Sequence, residues 1–378
     1  MIYLDEASTS KPKKEVVEAI MPYLETFWHN PSTLYSLGKK VHKDVDKVRK
    51  IILKKINANK NDKLYFTSGA TESNNWAMRG FYDYFNLSEK VVFITTPIEH
   101  NSITKLINST ALSNAEIHFC KVHPNSGIID FDSLEKILKV CVNKKIFVSI
   151  SIANNEIGTI QDVKSLSRLI HKYNGIFHTD ATQAFGHIPI DVKEMGIDIM
   201  SCSAQKIGGL KGTGFLYVKN NICLNPLIYG SQENGMRGGT ENVVGIIALG
   251  KAVELIDYKQ SKFISDLRDY LINCLSKLDC SINGSLDNRL PNNVNVTLNY
   301  NITGEALVYM LDTCGIYISS GSACNVLLHK PSQVLKSIGL SNEQIDRTVR
   351  ITLPDDITRE QIDKFIFEIQ KQIKILEI

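Results

Sequence analysis

Residues 63–113 read KLYFTS (63–68) then TESNNWAMRGFYDYF (71–85), and KVVFITT (90–96) then SITKLINSTALS (102–113). Each pair couples a short apolar, β-rich run to a longer segment with helical spacing. The pattern continues with EIHFCKV (116–122) before FDSLEKILKV (131–140), and KIFVSISIA (145–153) before SLSRLIHKY (165–173). Such alternation is the signature of βα units around a parallel sheet, and unbroken apolar runs are what strands covered on both faces require. Three further runs follow, GIFHTDA (175–181), DIMSCSA (198–204) and GTGFLYV (212–218). The last two are too close for an intervening helix, so one member of the sheet is expected to be antiparallel. The fold class is α/β, a mostly parallel, doubly wound sheet.

On the N-terminal side, EVVEAIMPYLETF (15–27) and GKKVHKDVDKVRKIILKKI (38–56) have helical spacing. On the C-terminal side, residues 242–278 form one long helical pattern, with a kink expected near Asp257. Beyond it come strand-like NVNVTLNY (293–300) and TVRITL (348–353), with helical segments around 306–313, 332–339 and 359–376, an α+β composition. The expected division is a large α/β domain over 12–257 and a smaller α+β domain over 1–11 and 258–378, each of ordinary size.

The 378 residues are 43% hydrophobic and 22% charged, as in folded globular chains and unlike disordered ones. A net charge of +3 gives no reason to expect direct nucleic-acid or membrane-surface binding. The eight cysteines contain no CxxC pair, so they read as free thiols rather than a zinc site or a disulfide framework. The opening residues lack a signal-peptide pattern, and no apolar run is long enough to span a bilayer, so a cytoplasmic location is expected.

Ligands of open α/β sheets sit at the carboxyl ends of the strands. After KLYFTS, Ser68-Gly69-Ala70-Thr71 opens a helix, a seat for a phosphate if it is not simply a helix cap. His100 follows the second strand, in EHNS, where it could stack on a flat ring and move protons or be merely structural. Asn155 follows KIFVSISIA, as a donor to a phenolic oxygen or as a turn former. Asp180 ends GIFHTDA with Gln183 beyond it, and Ser203, Gln205 and Lys206 follow the next strand. Asp180 and Lys206 could be an ion pair. They also match the needs of pyridoxal phosphate: a lysine for its Schiff base, a carboxylate facing its pyridine nitrogen, and an anion site for its phosphate.

These motifs resemble those of the cysteine desulfurases of the NifS/IscS type, within the fold-type I pyridoxal-phosphate enzymes. The resemblance covers almost the whole chain, in order: YLDEAST (3–9), NPS (30–32), FTSGATESNN (66–75), EHNS (99–102), NNEIG (154–158), HTDATQAFG (178–186), SAQKIGGLKGTGFLYV (203–218), MRGGTENV (236–243) and SSGSACN (319–325). It implies Lys206 as the Schiff-base lysine, Asp180 at the pyridinium nitrogen and His100 on the ring. Asn155 and Gln183 are implied near the phenolic oxygen, with Ala70, Thr71, Ser203 and Gln205 around the phosphate. Thr240 is implied to serve the other subunit of a homodimer.

Cys324 is the implied nucleophile, and its Ser/Gly-rich surroundings predict the exposed, flexible segment such a group needs. A thiol attacks as thiolate, so deprotonation by His100 or by the substrate's amine is expected. Arg350, in TVRITL, is implied to clamp the substrate carboxylate, where a surface salt bridge is the plainer reading. The implied reaction converts L-cysteine to L-alanine, leaving a persulfide on Cys324 for an acceptor protein of iron–sulfur assembly or of tRNA or DNA thiolation.

The chain departs from the family pattern at several places. Gln205 stands where His usually precedes the lysine, the opening reads DEAST where DNAAT or a close variant is usual, and apolar Val326, Leu327 and Leu328 follow Cys324. The competing readings are a selenocysteine lyase or aminotransferase on the same fold, and a non-catalytic scaffold homologue.

Overall fold

The computed structural model describes residues 1–320 and 331–376. The chain opens with strand β1 (Ile2–Tyr3) and two helices, Lys14–Glu25 and Ser36–Lys55. Seven strands then build one sheet: β2 (Lys63–Thr67), β3 (Val91–Thr95), β4 (Glu116–Phe119), β5 (Lys145–Ser149), β6 (Ile176–Asp180), β7 (Ile199–Ser203) and β8 (Gly214–Val218). Their order is β2-β8-β7-β6-β5-β3-β4. The pairs β3–β4, β3–β5, β5–β6 and β6–β7 are parallel, whereas β8 runs antiparallel to both β2 and β7. The antiparallel member is therefore GTGFLYV, as expected from the short link before it.

Every residue of β3, β7 and β8 is buried, which explains why these runs read as continuously apolar. Edge strand β4 is partly exposed and more polar. The helix Val243–Glu254 is apolar nearly all round and packs on Lys14–Glu25 and Ser36–Lys55. Its close fit against Ser36–Lys55 uses Gly250, where a Cβ would lie 2.5 Å from a Val48 methyl. The kink expected near Asp257 is a complete break. Asp257 accepts a hydrogen bond from the Lys259 N–H (2.9 Å) and caps a new helix, Tyr258–Leu275.

The remaining strands are β9 (Cys280–Asn283), β10 (Asn293–Leu298), β11 (Ile316–Tyr317), β12 (Ser319–Ser320) and β13 (Thr348–Thr352). Four of them form an antiparallel sheet in the order β12-β13-β10-β9, and β1 pairs in parallel with β11. A second core joins Ile2 and Leu4 to Leu271, Val296, Ile351 and Phe365. Burying each such side chain contributes about 1.5–3 kcal/mol, so the N-terminus is tied down despite its short strand. From there residues 5–10 cross to the main sheet.

The first two serines of SSGSACN form β12, with Ser319 buried opposite Arg350. The rest of that motif, with Cys324 and the apolar residues after it, lies outside the described residues. The seven described cysteines form no disulfide. Among the described residues no helix is long and apolar enough to cross a membrane.

Candidate active site

Strands β2, β3, β5, β6 and β7 all point the same way, so the residues that follow them meet at one edge of the sheet. The strand-end residues are not successive in the chain, because edge strand β4 contributes none. In space β7, β6, β5 and β3 are adjacent, which sets Lys206, Asp180, Asn155 and His100 in a row.

Asp180 is buried and held from two sides. Its Oδ2 accepts from the Asn74 side-chain amide (2.7 Å) and its Oδ1 from the Thr182 N–H (2.9 Å). The other hydrogen of the Asn74 amide goes to Ser102 Oγ (2.9 Å), which lies 2.8 Å from His100 Nδ1. Asp180 and His100 therefore belong to one network that passes through Asn74. The Ser102 N–H also donates to His100 Nδ1 (3.1 Å), so this nitrogen is an acceptor and the neutral ring carries its proton on Nε2. Burial holds the His100 pKa below its usual value; the Asp180 charge opposes this and Lys206 adds to it. His100 is neutral at neutral pH.

Ala70 and Thr71 begin the helix Ala70–Phe85, whose N-cap is Gly69. No side chain caps this end, so the first-turn N–H groups are not taken by a capping side chain and a partial positive charge stands there. Gly69 has φ +149°, and a Cβ there would approach nothing closer than Ser203 Oγ at 3.9 Å. The turn thus leaves open space flanked by a hydroxyl and helix N–H groups, a cradle for an anion. Glu72 closes its outer side, taking the Ser68 N–H (2.8 Å) and both prongs of Arg237 (2.8 and 3.0 Å). Thr240 is exposed and borders a cavity of about 70 Å³ together with Ser68 and Arg237.

The segment 5–10 crosses this edge and touches four of the expected site residues. Lys206 Nζ donates to the Ser8 carbonyl, Gln183 Nε2 to the Ala7 carbonyl (3.1 Å), and the Ser10 N–H to the Gln205 carbonyl (2.9 Å). Arg350 Nη2 donates to Asp5 Oδ1 (2.8 Å) and to Ser8 Oγ (2.9 Å), and Nη1 to the Asn155 carbonyl (3.2 Å). The Arg350 side chain is only 4% exposed, so the plainer reading of a surface salt bridge is excluded.

Two acids in this region escape the motif reading. Glu156, next to Asn155, is half-buried and accepts from Ser332 Oγ; burial raises its pKa to about 7, against the pull of that hydrogen bond and of the Arg350 charge. Glu99, next to His100, accepts from Thr96 Oγ (2.9 Å) and the Ser151 N–H (3.1 Å), and burial raises it to about 7 as well. Both lie inside recognisable motifs, but nothing in their spacing signals burial. A cavity of about 1270 Å³ between residues 9–15 and 353–357 reaches Lys206 but none of Asp180, His100 or Asn155. The converging side chains, rather than this hollow, mark the site.

Residues 2–365 match the family model described as aminotransferase class-V. The chain is 39% identical to a cysteine desulfurase IscS of Dictyoglomus turgidum, over 99% of this chain and 95% of that protein. It is also 39% identical to one of Methanosarcina thermophila, over 97% and 90%. Among solved structures, a NifS-like protein from Rickettsia africae superposes with a TM-score of 0.88 at 32% identity, covering 99% of both chains. A structure described as SspA in complex with cysteine superposes with a TM-score of 0.82 at 33% identity, covering 94% of this chain and 99% of the other. With a family model matched over nearly its whole length and relatives this similar from end to end, the chain belongs to the class-V aminotransferases and, within them, to the cysteine desulfurases.

Proposed function

We propose that this chain, with pyridoxal 5′-phosphate held on Lys206, takes the sulfur of L-cysteine onto Cys324 as a persulfide and releases L-alanine. The balance is complete. The C–S bond of cysteine breaks, an S–S bond forms on Cys324, and the substrate carbon gains the proton that the thiols give up. The observation that carries this reading is the row of Lys206, Asp180, Asn155 and His100 at adjacent strand ends beside a buried arginine. Cysteine bound to the similar SspA structure gives the substrate further support.

The residues fit the cofactor. Asp180, pinned by Asn74 and Thr182, presents a fixed negative charge suited to a protonated pyridine nitrogen. The open turn at Gly69, with Ala70, Thr71 and Ser203, suits the phosphate; Gln205, and Thr240 of a second copy in a homodimer, complete that set. Gln183 spends one amide hydrogen on Ala7 and keeps another for a phenolic oxygen, beside Asn155. When bound, the cofactor supplies an electron sink for the carbanion at the substrate Cα.

The chain's own groups do the rest. Arg350 binds the substrate carboxylate. Lys206 Nζ moves the α-proton, and the Ser8 carbonyl is an acceptor that orients it. His100 offers an N–H at Nε2 in its neutral tautomer, so the thiol proton of Cys324 passes to the substrate amine rather than to the imidazole. The acceptor of the persulfide is a thiol on another protein, of iron–sulfur assembly or of tRNA or DNA thiolation. The division into units of 12–257 and of 1–11 with 258–378 belongs to this proposal, supported by the core of the second sheet, which unites Ile2 and Leu4 with residues 264–373, while a small cluster of Ile98 and Ile157 with Val334, Leu335 and Ile338 packs across the boundary.

The test is product analysis on the cofactor-loaded protein. L-alanine formed from L-cysteine, and lost in Cys324→Ser, is the expected result. A keto acid formed independently of Cys324 would favour an aminotransferase, and L-alanine from selenocysteine alone a selenium enzyme.

A further inference from the structure

Arg350 has five N–H donors in a fixed fork, and both two-pronged ways of gripping a carboxylate, Nε with Nη2 or Nη1 with Nη2, use an Nη2 hydrogen. Nη2 already donates to two acceptors, Asp5 Oδ1 at 2.8 Å and Ser8 Oγ at 2.9 Å, as many as it has hydrogens. Arg350 Nε is buried and has no hydrogen-bond partner among the described residues, so the fork still has capacity on that side. A substrate carboxylate therefore fits only if one Nη2 acceptor yields. Asp5 is charged and held in an ion pair, whereas Ser8 is a neutral, half-buried hydroxyl on a segment that crosses the site.

We propose that Ser8 is a substrate-binding residue. Its hydroxyl holds the place of the substrate carboxylate on Arg350 in the unliganded protein, and donates its own O–H to that carboxylate when it arrives. The chemistry suits both roles, because a hydroxyl accepts through its lone pairs and keeps one proton to give. The Ser8 carbonyl receives Lys206 Nζ, which sets the carboxylate seat and the reacting lysine on a single residue.

The inference rests on Arg350 binding the substrate carboxylate, and the test separates the two. Affinities for L-alanine, and for L-alaninol, which has a hydroxymethyl group in place of the carboxylate, are measured by calorimetry on the cofactor-loaded protein. Ser8→Ala should weaken L-alanine about tenfold, the scale of one hydrogen bond to a charged group, and leave L-alaninol within twofold. Ser8→Thr, which keeps the hydroxyl, should restore most of the loss. The KM for L-cysteine should rise in parallel with little change in kcat. Unchanged or tighter L-alanine binding in Ser8→Ala would overturn the role, and equal losses for both ligands would reduce it to general packing. Native protein that binds L-alaninol as well as L-alanine would refute the carboxylate site itself. Selective loss of L-alanine binding in Ser8→Ala, in a native protein that makes no L-alanine from L-cysteine, would refute the desulfurase reading while upholding Ser8.

Discussion

Asn74 donates a hydrogen bond to Asp180 over 2.7 Å from near the start of a helix that begins at the anion turn. The second hydrogen of the same amide reaches Ser102, and through it His100, so one buried side chain sets two of the groups expected to face the cofactor. Because Asn74 is fully buried, nothing outside the protein can take over its bonds.

Asn74→Ala should therefore loosen both groups at once. Stability is expected to fall by about 1–3 kcal/mol, the cost of leaving a buried carboxylate short of a donor. Cofactor retained per chain after gel filtration should fall with it, and Asn74→Asp should be worse, since it sets a second carboxylate against Asp180. Full retention in Asn74→Ala would show that Asp180 is held well enough by Thr182 alone.

Arg350→Lys keeps the charge but loses the fork. A single ammonium cannot serve Asp5, Ser8 and the Asn155 carbonyl and still grip a carboxylate with two prongs. The KM for L-cysteine should rise by about one to two orders of magnitude, as expected for loss of a charge-assisted bond worth about 1.5–3 kcal/mol, while the cofactor's visible absorbance persists. Steady-state kinetics across substrate concentrations measures this.

Glu156 makes stability depend on pH. Burial raises its pKa from the ordinary 4.5 to about 7, so the folded chain holds its proton more tightly than the unfolded chain. Its contribution is complete below pH 4.5 and is lost as pH rises toward 7 and through it, on the order of 3 kcal/mol at 1.36 kcal/mol per unit. Melting temperatures of native protein and Glu156→Gln, compared between pH 4.5 and 8, should converge at the acid end and diverge in favour of the glutamine variant at the other.

Gly214 lets β8 pass close behind the anion turn. A Cβ there would lie 2.4 Å from the Cys202 carbonyl oxygen and 2.6 Å from Gly69 Cα, both backbone atoms that cannot swing aside. Gly214→Ala should cost about 1–3 kcal/mol through overpacking and displace the turn. Weaker cofactor binding at unchanged secondary structure, read by equilibrium dialysis beside circular dichroism, is the expected outcome.

The parts of this site that sequence made legible are those with local chemistry. Buried parallel strands leave unbroken apolar runs, and polar residues just after them mark the ligand edge, which is how Lys206, Asp180, Asn155 and His100 stand out. What residues 5–10 give Lys206 and Gln183 is hidden because it is made by the carbonyls of Ser8 and Ala7, and a carbonyl carries no sequence signal. Asn74 is hidden for a different reason. A polar residue within a helix looks like a solvated face until the packing shows it wholly buried. The strand β12 was illegible too, since two serines beside a glycine read as loop, and only pairing with β13 makes them a strand.

The central claim is that sulfur passes from L-cysteine to Cys324. The most direct measurement is the mass of the peptide containing Cys324 after one turnover of the cofactor-loaded protein with L-cysteine, in the absence of reductant. A gain of one sulfur atom on that peptide, matched by an equal amount of L-alanine and absent from Lys206→Ala, is the predicted result. L-alanine released with Cys324 unmodified, or sulfur appearing on a different cysteine, would contradict the account.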